Sequence, residues 1–382
     1  MSLVVFPFKV EDPEILLRNT RFAAEHPRVK EVLLVGAARE ETFEAVSAGL
    51  DRIRSDSGVR IDIIVQDRLG SLRPGKGDGM NTALRYFLDE SSLERIHFYD
   101  SDIVNFGARW MDQAERAADL GFDVVRHYFP RARTDAMITW MVTRTGFARI
   151  WPRSGLSWIG QPLGGELLFT RAAAEHLVSD ERVMAQSDWG IDTLYTFSTT
   201  QAGFPVYESY MPIGKLHRLY GALSDLRTMI VECFAAVQGL RGEEVREDLV
   251  HRAEVPEAVP ASVTEKLGFD IEATLGLLKS GWSERQASLL ESFPARIRDG
   301  LLANRENASF QFMDDDAWYD AYGVLVEHYR RGDADWEELL FKLWMARVLG
   351  FATTVAIRGY GYSQAHLSEM ISRYRQRAAR VA

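Results

Sequence analysis

IHFYDSDIV, residues 96–104, begins as a strand entering a core and ends in two carboxylates. Ile96, Phe98 and Tyr99 supply the apolar part, and Asp100 and Asp102 follow with one residue between them. Carboxylates so spaced repel each other and resist burial. A divalent cation is the first candidate to compensate them, because hard cations take oxygen ligands and bridge to substrate phosphates. The plainer alternative is a solvated loop whose aspartates cap the next helix.

On either side, strand-like and helix-like segments alternate. LVVFPF (3–8) leads to a helix that opens at Asp12-Pro13, with Asp as cap and Pro at the first helical position. VKEVLLVGA (29–37), a helical pattern around EETFEAVSAGLDRIR (40–54) and RIDIIVQD (60–67) follow. After a Gly-rich loop, NTALRYFLDE (81–90) reads as helix and RIHFYDSDI (95–103) as strand. A helix near 108–120 then leads to FDVVRHYF (122–129). Short β-branched apolar runs separated by helical patterns predict a mostly parallel α/β sheet with helices on both faces. Such sheets bind ligands at the carboxyl ends of their strands, where Asp100 and Asp102 fall.

From about residue 255 the pattern becomes helical, after the Pro-punctuated stretch VPEAVPASVTEKLG (255–268). The expected division is a catalytic domain over 1–255 and a helical domain over 256–382, the latter either packing support or the surface of a homo-oligomer. A net charge of −10 argues against a general nucleic-acid or anionic-membrane surface. The lone cysteine, Cys233, excludes disulfide frameworks and cysteine metal sites within one chain, and it reads as a buried residue on a helix. No uninterrupted apolar run approaches the ~18 residues of a membrane span, and the N-terminus lacks the basic start and cleavage site of a signal peptide. The chain reads as soluble and cytoplasmic.

Four further stretches carry chemistry. In RLGSLRPGKGDGMN (68–81), Gly70, Gly75, Gly77 and Gly79 permit close backbone approach, and Arg73 and Lys76 are cations suited to a diphosphate. Gly70 to Lys76 fits part of a Walker loop, but Gly77 replaces the Mg²⁺-binding Ser or Thr and Pro74 removes an amide, so an ATPase is rejected. In QSDWGIDTLYTF (186–197), Asp188 reads as a helix cap or as a carboxylate sharing a helical face with Asp192 near Trp189. In GKLHRLYGALSDL (214–226), His217 lies in a loop before a helix and suits Mn²⁺ as a further ligand. In HYFPRARTDAMITW (127–140), Arg131 and Arg133 offer a guanidinium fork for a small carboxylate, or are ordinary surface charge.

Taken in order, Asp100-Ser101-Asp102, RPGKGDGMNTALRYF, FPRARTDAMITWM, QPLGGELL, SDWGIDTLYTF and KLHRLYG closely resemble the mannosylglycerate synthase family of retaining glycosyltransferases. Ser101 stands where the resemblance leads one to expect Ala. The resemblance implies a GT-A fold, a Rossmann-like mostly parallel sheet with flanking helices followed by an α-helical region. It implies mannose transfer from GDP-mannose to D-glycerate, with lactate, glycolate and other nucleotide sugars as further candidates. It also implies Asp102 and His217 as ligands of Mg²⁺ or Mn²⁺, with Asp192, Asp100 and Lys76 in catalysis. The donor would meet Pro7, Phe8, Lys9, Val35, Gln66, Lys76, Asp100, Ser101, Leu163, Asp192, Arg218 and Tyr220. The acceptor would meet Arg131, Ala136, Met137, Ile138 and Thr139. The competing readings are a sugar nucleotidyltransferase, which releases pyrophosphate, and a nucleotide-sugar-binding module without catalysis.

Overall fold

The computed structural model describes residues 1–217, 223–254, 269–307 and 309–381. The stretch 255–268, read above as a boundary, lies outside them, as do Arg218 and Tyr220. The cut at 255 follows composition; by contacts within each, the chain falls into two compact units, each assembled from three separate segments. The first comprises 1–130, 159–218 and 245–258, and the second 131–158, 219–244 and 259–382.

The first unit is built on a sheet that has eight strands among the described residues: β1 (Ser2–Phe8), β2 (Val29–Gly36), β3 (Arg60–Val65), β4 (Arg95–Phe98), β5 (Val124–Tyr128), β6 (Leu167–Thr170), β7 (Val206–Tyr210) and β8 (His251–Ala253). Their order is β3-β2-β1-β4-β6-β5-β7-β8. The five strands expected from the sequence are β1 to β5. The sequence pattern did not reveal β6, β7 or β8, and β6 runs antiparallel to both neighbours, β4 and β5. β6 has only four residues, too few to show a period.

Helices α1 (Pro13–Ala24), α2 (Glu41–Ser57), α3 (Lys76–Glu90) and α4 (Ala108–Asp119) connect the first five strands. As the sequence suggests, the Asp12 carboxylate caps α1 by accepting from the Glu14 amide, and Pro13 takes the first turn. Val4, Phe6 and Phe8 of β1 join one apolar cluster with Phe43, Tyr99, Phe106 and Trp110. Leu3 and Val5, which point to the opposite face, are equally buried. A strand covered on both faces reads as a continuous apolar run, which is why LVVFPF shows no polar alternation.

Further along the chain come α5 (Thr145–Ile150), α6 (Arg171–Ser179), α7 (Glu181–Ala185) and α8 (Ile191–Ala202). The second unit is helical: α5, α9 (Arg227–Gly239), α10 (Ile271–Lys279), α11 (Glu284–Leu289), α12 (Ala295–Leu302), α13 (Asp315–His328), α14 (Ala334–Thr354) and α15 (Tyr360–Ala379). Cys233 is buried on α9. By length and mean composition alone, the helical stretch 334–358 contains an 18-residue window apolar enough to cross a membrane, although charged residues interrupt the stretch. Yet 83% of that window is buried in the protein, as in the core helix of a globular unit.

Candidate active site

The carboxyl ends of four neighbouring parallel strands bring part of the expected donor set to one edge. β1 ends at Pro7 and Phe8 with Lys9 just beyond, and Val35 of β2 is the register partner of Pro7. Gln66 follows β3 directly, and Asp100, Ser101 and Asp102 follow β4. Phe8, Val35 and Ser101 are buried, so their side chains support the site more than they line it. The topology does this without long side chains, because adjacent parallel strands end on the same edge.

Asp100 sits in a buried ladder of alternating charge. Lys215 Nζ lies 2.5 Å from Asp100 Oδ2 and 2.6 Å from Glu166 Oε1. On the other side, Lys76 Nζ lies 3.5 Å from Asp100 Oδ1 and 2.9 Å from Asp192 Oδ2. Burial alone would raise the Asp100 carboxyl, but Lys215 and then Lys76 outweigh it and hold the group well below the ordinary carboxylate range. For Lys76, burial works against the charge and is overcome by Asp100 and Asp192, so it stays a cation. Burial dominates at Asp192 and Glu166, whose carboxyls are pushed up despite their lysines. One oxygen of Asp192, Oδ1, is buried without a hydrogen-bond partner.

Asp102 is the more open of the two strand-end aspartates in its bonding. His217 Nδ1 approaches Asp102 Oδ2 to 4.0 Å, and both side chains retain partial exposure. Glu11 stands close enough that, after burial, the charges of Asp102 and Asp100 raise its carboxyl further. Glu11, Asp100 and Asp102 are thus close enough to interact through their charges. The loop carrying His217 is fixed to the segment after Asp102. The Val104 amide donates to Leu216 O (2.7 Å), the Leu216 amide donates to Asn105 Oδ1 and Asn105 Nδ2 donates to Gly214 O (both 2.9 Å).

Other expectations are corrected. Gly70 and Gly77 of the 68–81 loop turn their open sides to protein backbone, whereas a Cβ on Gly79 would meet Gln66 Oε1 at 3.1 Å, among the expected donor residues. A Cβ on Gly70 would lie 2.7 Å from Ala185 O, and one on Gly77 would lie 2.2 Å from Gln186 O. These glycines let the loop pack on the 185–187 backbone, and buried Asp78 holds it there by accepting from Arg68, Leu69 N and Gly70 N. Lys76 begins α3, with Trp189 5.7 Å from its Nζ. Asp188 precedes α8 and accepts from the Gly190 amide, so it shares no helical face with Asp192 in the first turn.

The segment expected to hold the acceptor belongs to the second unit. Arg131 forks its Nε and Nη2 onto Asp135 at 2.8 and 3.2 Å, so an aspartate of the chain itself already shows the carboxylate recognition expected of it. Arg133 donates to Ala356 O and so serves packing. Ala136 has a φ of 60°, a left-handed conformation uncommon for a residue with a Cβ. Met137, Ile138 and Thr139 are buried, and Thr139 opens a π-helical turn over Thr139–Arg144.

Sequence reasoning gave no role to Lys215, Glu166, Glu11 or Arg126. Lys215 and Glu166 both lie inside quoted motifs, and the signal was a charged residue flanking an apolar strand or a candidate ligand. Arg126 of β5 is buried; burial pulls its guanidinium down to about 10, opposed first by Asp192.

Two family profiles cover most of the chain. One described as "Mannosylglycerate synthase, GT domain" matches residues 2–239. Another, "Mannosylglycerate synthase C-terminal domain", matches 263–371. The mannosylglycerate synthase of Rhodothermus marinus is 59% identical over 379 residues, covering 99% of this chain and 96% of that protein. That of Selaginella moellendorffii is 55% identical over 363 residues, covering 94% of this chain and 86% of that protein. Among solved structures, glucosyl-3-phosphoglycerate synthase from Mycobacterium tuberculosis is similar at a TM-score of 0.48 and 18% identity, over 63% of this chain and 80% of that one. With GT-domain and C-terminal profiles both matched, and full-length relatives above half identity, the chain belongs to the mannosylglycerate synthase family.

Proposed function

We propose that this glycosyltransferase forms mannosylglycerate from GDP-mannose and D-glycerate, with retention of configuration, and that it requires a divalent metal. Family membership supports the glycosyl transfer and its product. The observation that carries the rest is the pairing of Asp102 with His217, 4.0 Å apart, beside the Lys76–Asp100–Asp192 ladder at the strand ends.

That pair fits a divalent cation. An anionic oxygen beside an imidazole nitrogen suits Mg²⁺ or Mn²⁺, and the Glu11 carboxyl lies near enough to interact with Asp102. Among the described residues no cluster of three acidic or histidine side chains forms a closed cage. A metal held by one or two protein groups would complete its shell with substrate phosphates and water. Bound there by Asp102 and His217, the metal would neutralise charge on the departing diphosphate.

The bond from the anomeric carbon to the diphosphate oxygen breaks, and its electron pair stays on the diphosphate. The same carbon bonds to the acceptor oxygen, whose proton leaves with the diphosphate. Lys76 supplies positive charge to the leaving group, and the buried Asp192 carboxylate faces the positive charge that develops on the sugar; such preorganised charge usually provides the largest share of rate. Arg131 takes the acceptor carboxylate as it now takes Asp135, with Thr139 adding a hydroxyl.

The test is a donor-by-acceptor matrix with Mg²⁺ and Mn²⁺, recording nucleoside diphosphate release. GDP-mannose with glycerate should be the best pair, and Asp102→Ala or excess chelator should abolish turnover. Undiminished turnover in chelator removes the metal from the scheme. Pyrophosphate release from a nucleoside triphosphate identifies a nucleotidyltransferase instead, and donor binding with no product identifies a binding module.

A further inference from the structure

Three carboxylates and two lysines alternate through the ladder Glu166–Lys215–Asp100–Lys76–Asp192. The two lysines occupy different situations. Lys76 spans two carboxylates at 3.5 and 2.9 Å, beside the edge where the donor would bind. Lys215 is held more tightly between Asp100 and Glu166, with its side chain 7% exposed and that of Glu166 1% exposed. When Lys76 turns toward an incoming diphosphate it weakens its hold on Asp100, and a buried carboxylate that loses a partner is strongly destabilised unless another remains. Lys215 is that remaining partner.

Lys215 also lies two residues before His217. Its backbone loop is pinned on one side by Asn105 and Val104, through the hydrogen bonds to Gly214 and Leu216. On the other side the Lys215 side chain reaches inward to the strand-end aspartate, with Glu166, from the segment leading into β6, fixing it in place. The two clamps together set where the His217 imidazole stands relative to Asp102.

We propose that Lys215, seated on Glu166, is a positioning residue with two duties: it is the standing counter-ion of Asp100 once Lys76 engages the donor diphosphate, and it docks the His217 loop so that His217 and Asp102 meet one divalent cation. The inference rests on the metal-dependent reading above and adds to it the residues that preorganise the metal pair. Groups that orient metal ligands cost about 10–100-fold in metal affinity or activity when removed.

The experiment measures Mn²⁺ binding by electron paramagnetic resonance in the presence of GDP, alongside donor and acceptor kinetics. It uses full-length wild type, Lys215→Met, Lys215→Arg and Glu166→Gln, each checked by thermal melting. Lys215→Met should weaken Mn²⁺ binding about tenfold or more and lower donor kcat/KM by about a hundredfold, with acceptor KM little changed. Lys215→Arg, which keeps the charge, should recover much of the loss, and Glu166→Gln should show a smaller loss of the same kind. If folded Lys215→Met binds Mn²⁺ within threefold of wild type, the inference is overturned. If Lys215→Met does not fold, Glu166→Gln decides, and Mn²⁺ affinity unchanged from wild type in that folded variant overturns it. Failure of wild type itself to bind Mn²⁺ with GDP would refute the underlying functional reading, which is a different result from a wild type that binds and a variant that binds equally.

Discussion

Adding one methyl group at Gly165 tests whether the geometry of the charge ladder sets the rate. A Cβ built there would stand 2.4 Å from Asp100 Oδ1 and 2.8 Å from Lys76 Nζ. Ordinary contact begins near 3.4 Å, so the Asp100 carboxylate would have to retreat by about 1 Å. Gly165 is not among the glycines with positive φ, so its backbone accepts alanine and the effect is one of space alone. The retreat is resisted, because Lys215 already holds the other oxygen. Overpacking of this kind costs about 1–3 kcal/mol, which lowers Tm by only several degrees. A displacement of about 1 Å in a catalytic arrangement costs on the order of a hundredfold in rate. Gly165→Ala should therefore remain folded while donor kcat/KM, read by nucleoside diphosphate release, falls about a hundredfold. The control is Gly107→Ala: a Cβ there meets nothing within 4 Å and its φ is 179°, extended backbone open to any residue. It should change stability by less than about 0.5 kcal/mol and leave the rate alone. A folded Gly165→Ala enzyme within threefold of wild type would refute the reasoning, since the ladder could then shift without consequence.

Two further outcomes are expected. Arg131→Ala should lower kcat/KM for glycerate about ten- to a hundredfold, the worth of a charge-assisted hydrogen bond of about 1.5–3 kcal/mol, and should affect the neutral acceptor glycerol much less. Equal losses for both acceptors would show that Arg131 supports the fold through Asp135 instead. His127, wholly buried, is pulled down to about 3 by burial and then by His97. Its folded pKa lies below the unfolded value near 6.5, so the unfolded state binds the extra proton first. Stability contributed by the neutral ring is therefore present above about pH 6.5 and drains at about 1.4 kcal/mol per pH unit as pH falls from there toward the folded value. His127→Leu should flatten the fall in urea midpoint between pH 7 and pH 4, and an unchanged slope would assign the acid sensitivity elsewhere.

The sequence by itself determined the elements whose signal is local. β1 to β5 are legible because each is an apolar run between helical patterns, and the strand-end position of Asp100 and Asp102 follows from chain order alone. The cap at Asp12 and the placement of Cys233 were equally local. Gathering Pro7, Val35, Gln66 and Asp100 on one edge needed only the rule that neighbouring parallel strands end together. The tertiary structure alone decided what Asp100 and Lys76 are paired with. Lys215 reaches Asp100 across 115 residues and Glu166 across 49, and Lys76 reaches Asp192 across 116. It also decided why positions 70 and 77 are glycines, since the close neighbours of Gly70 and Gly77 are in the 185–187 segment. A four-residue antiparallel strand such as β6 has no period to read, yet the segment leading into it holds Glu166 against Lys215. Local pattern records how each residue meets its chain neighbours, whereas a buried charge is compensated by whichever distant group the packing delivers, and a single sequence holds no trace of that pairing.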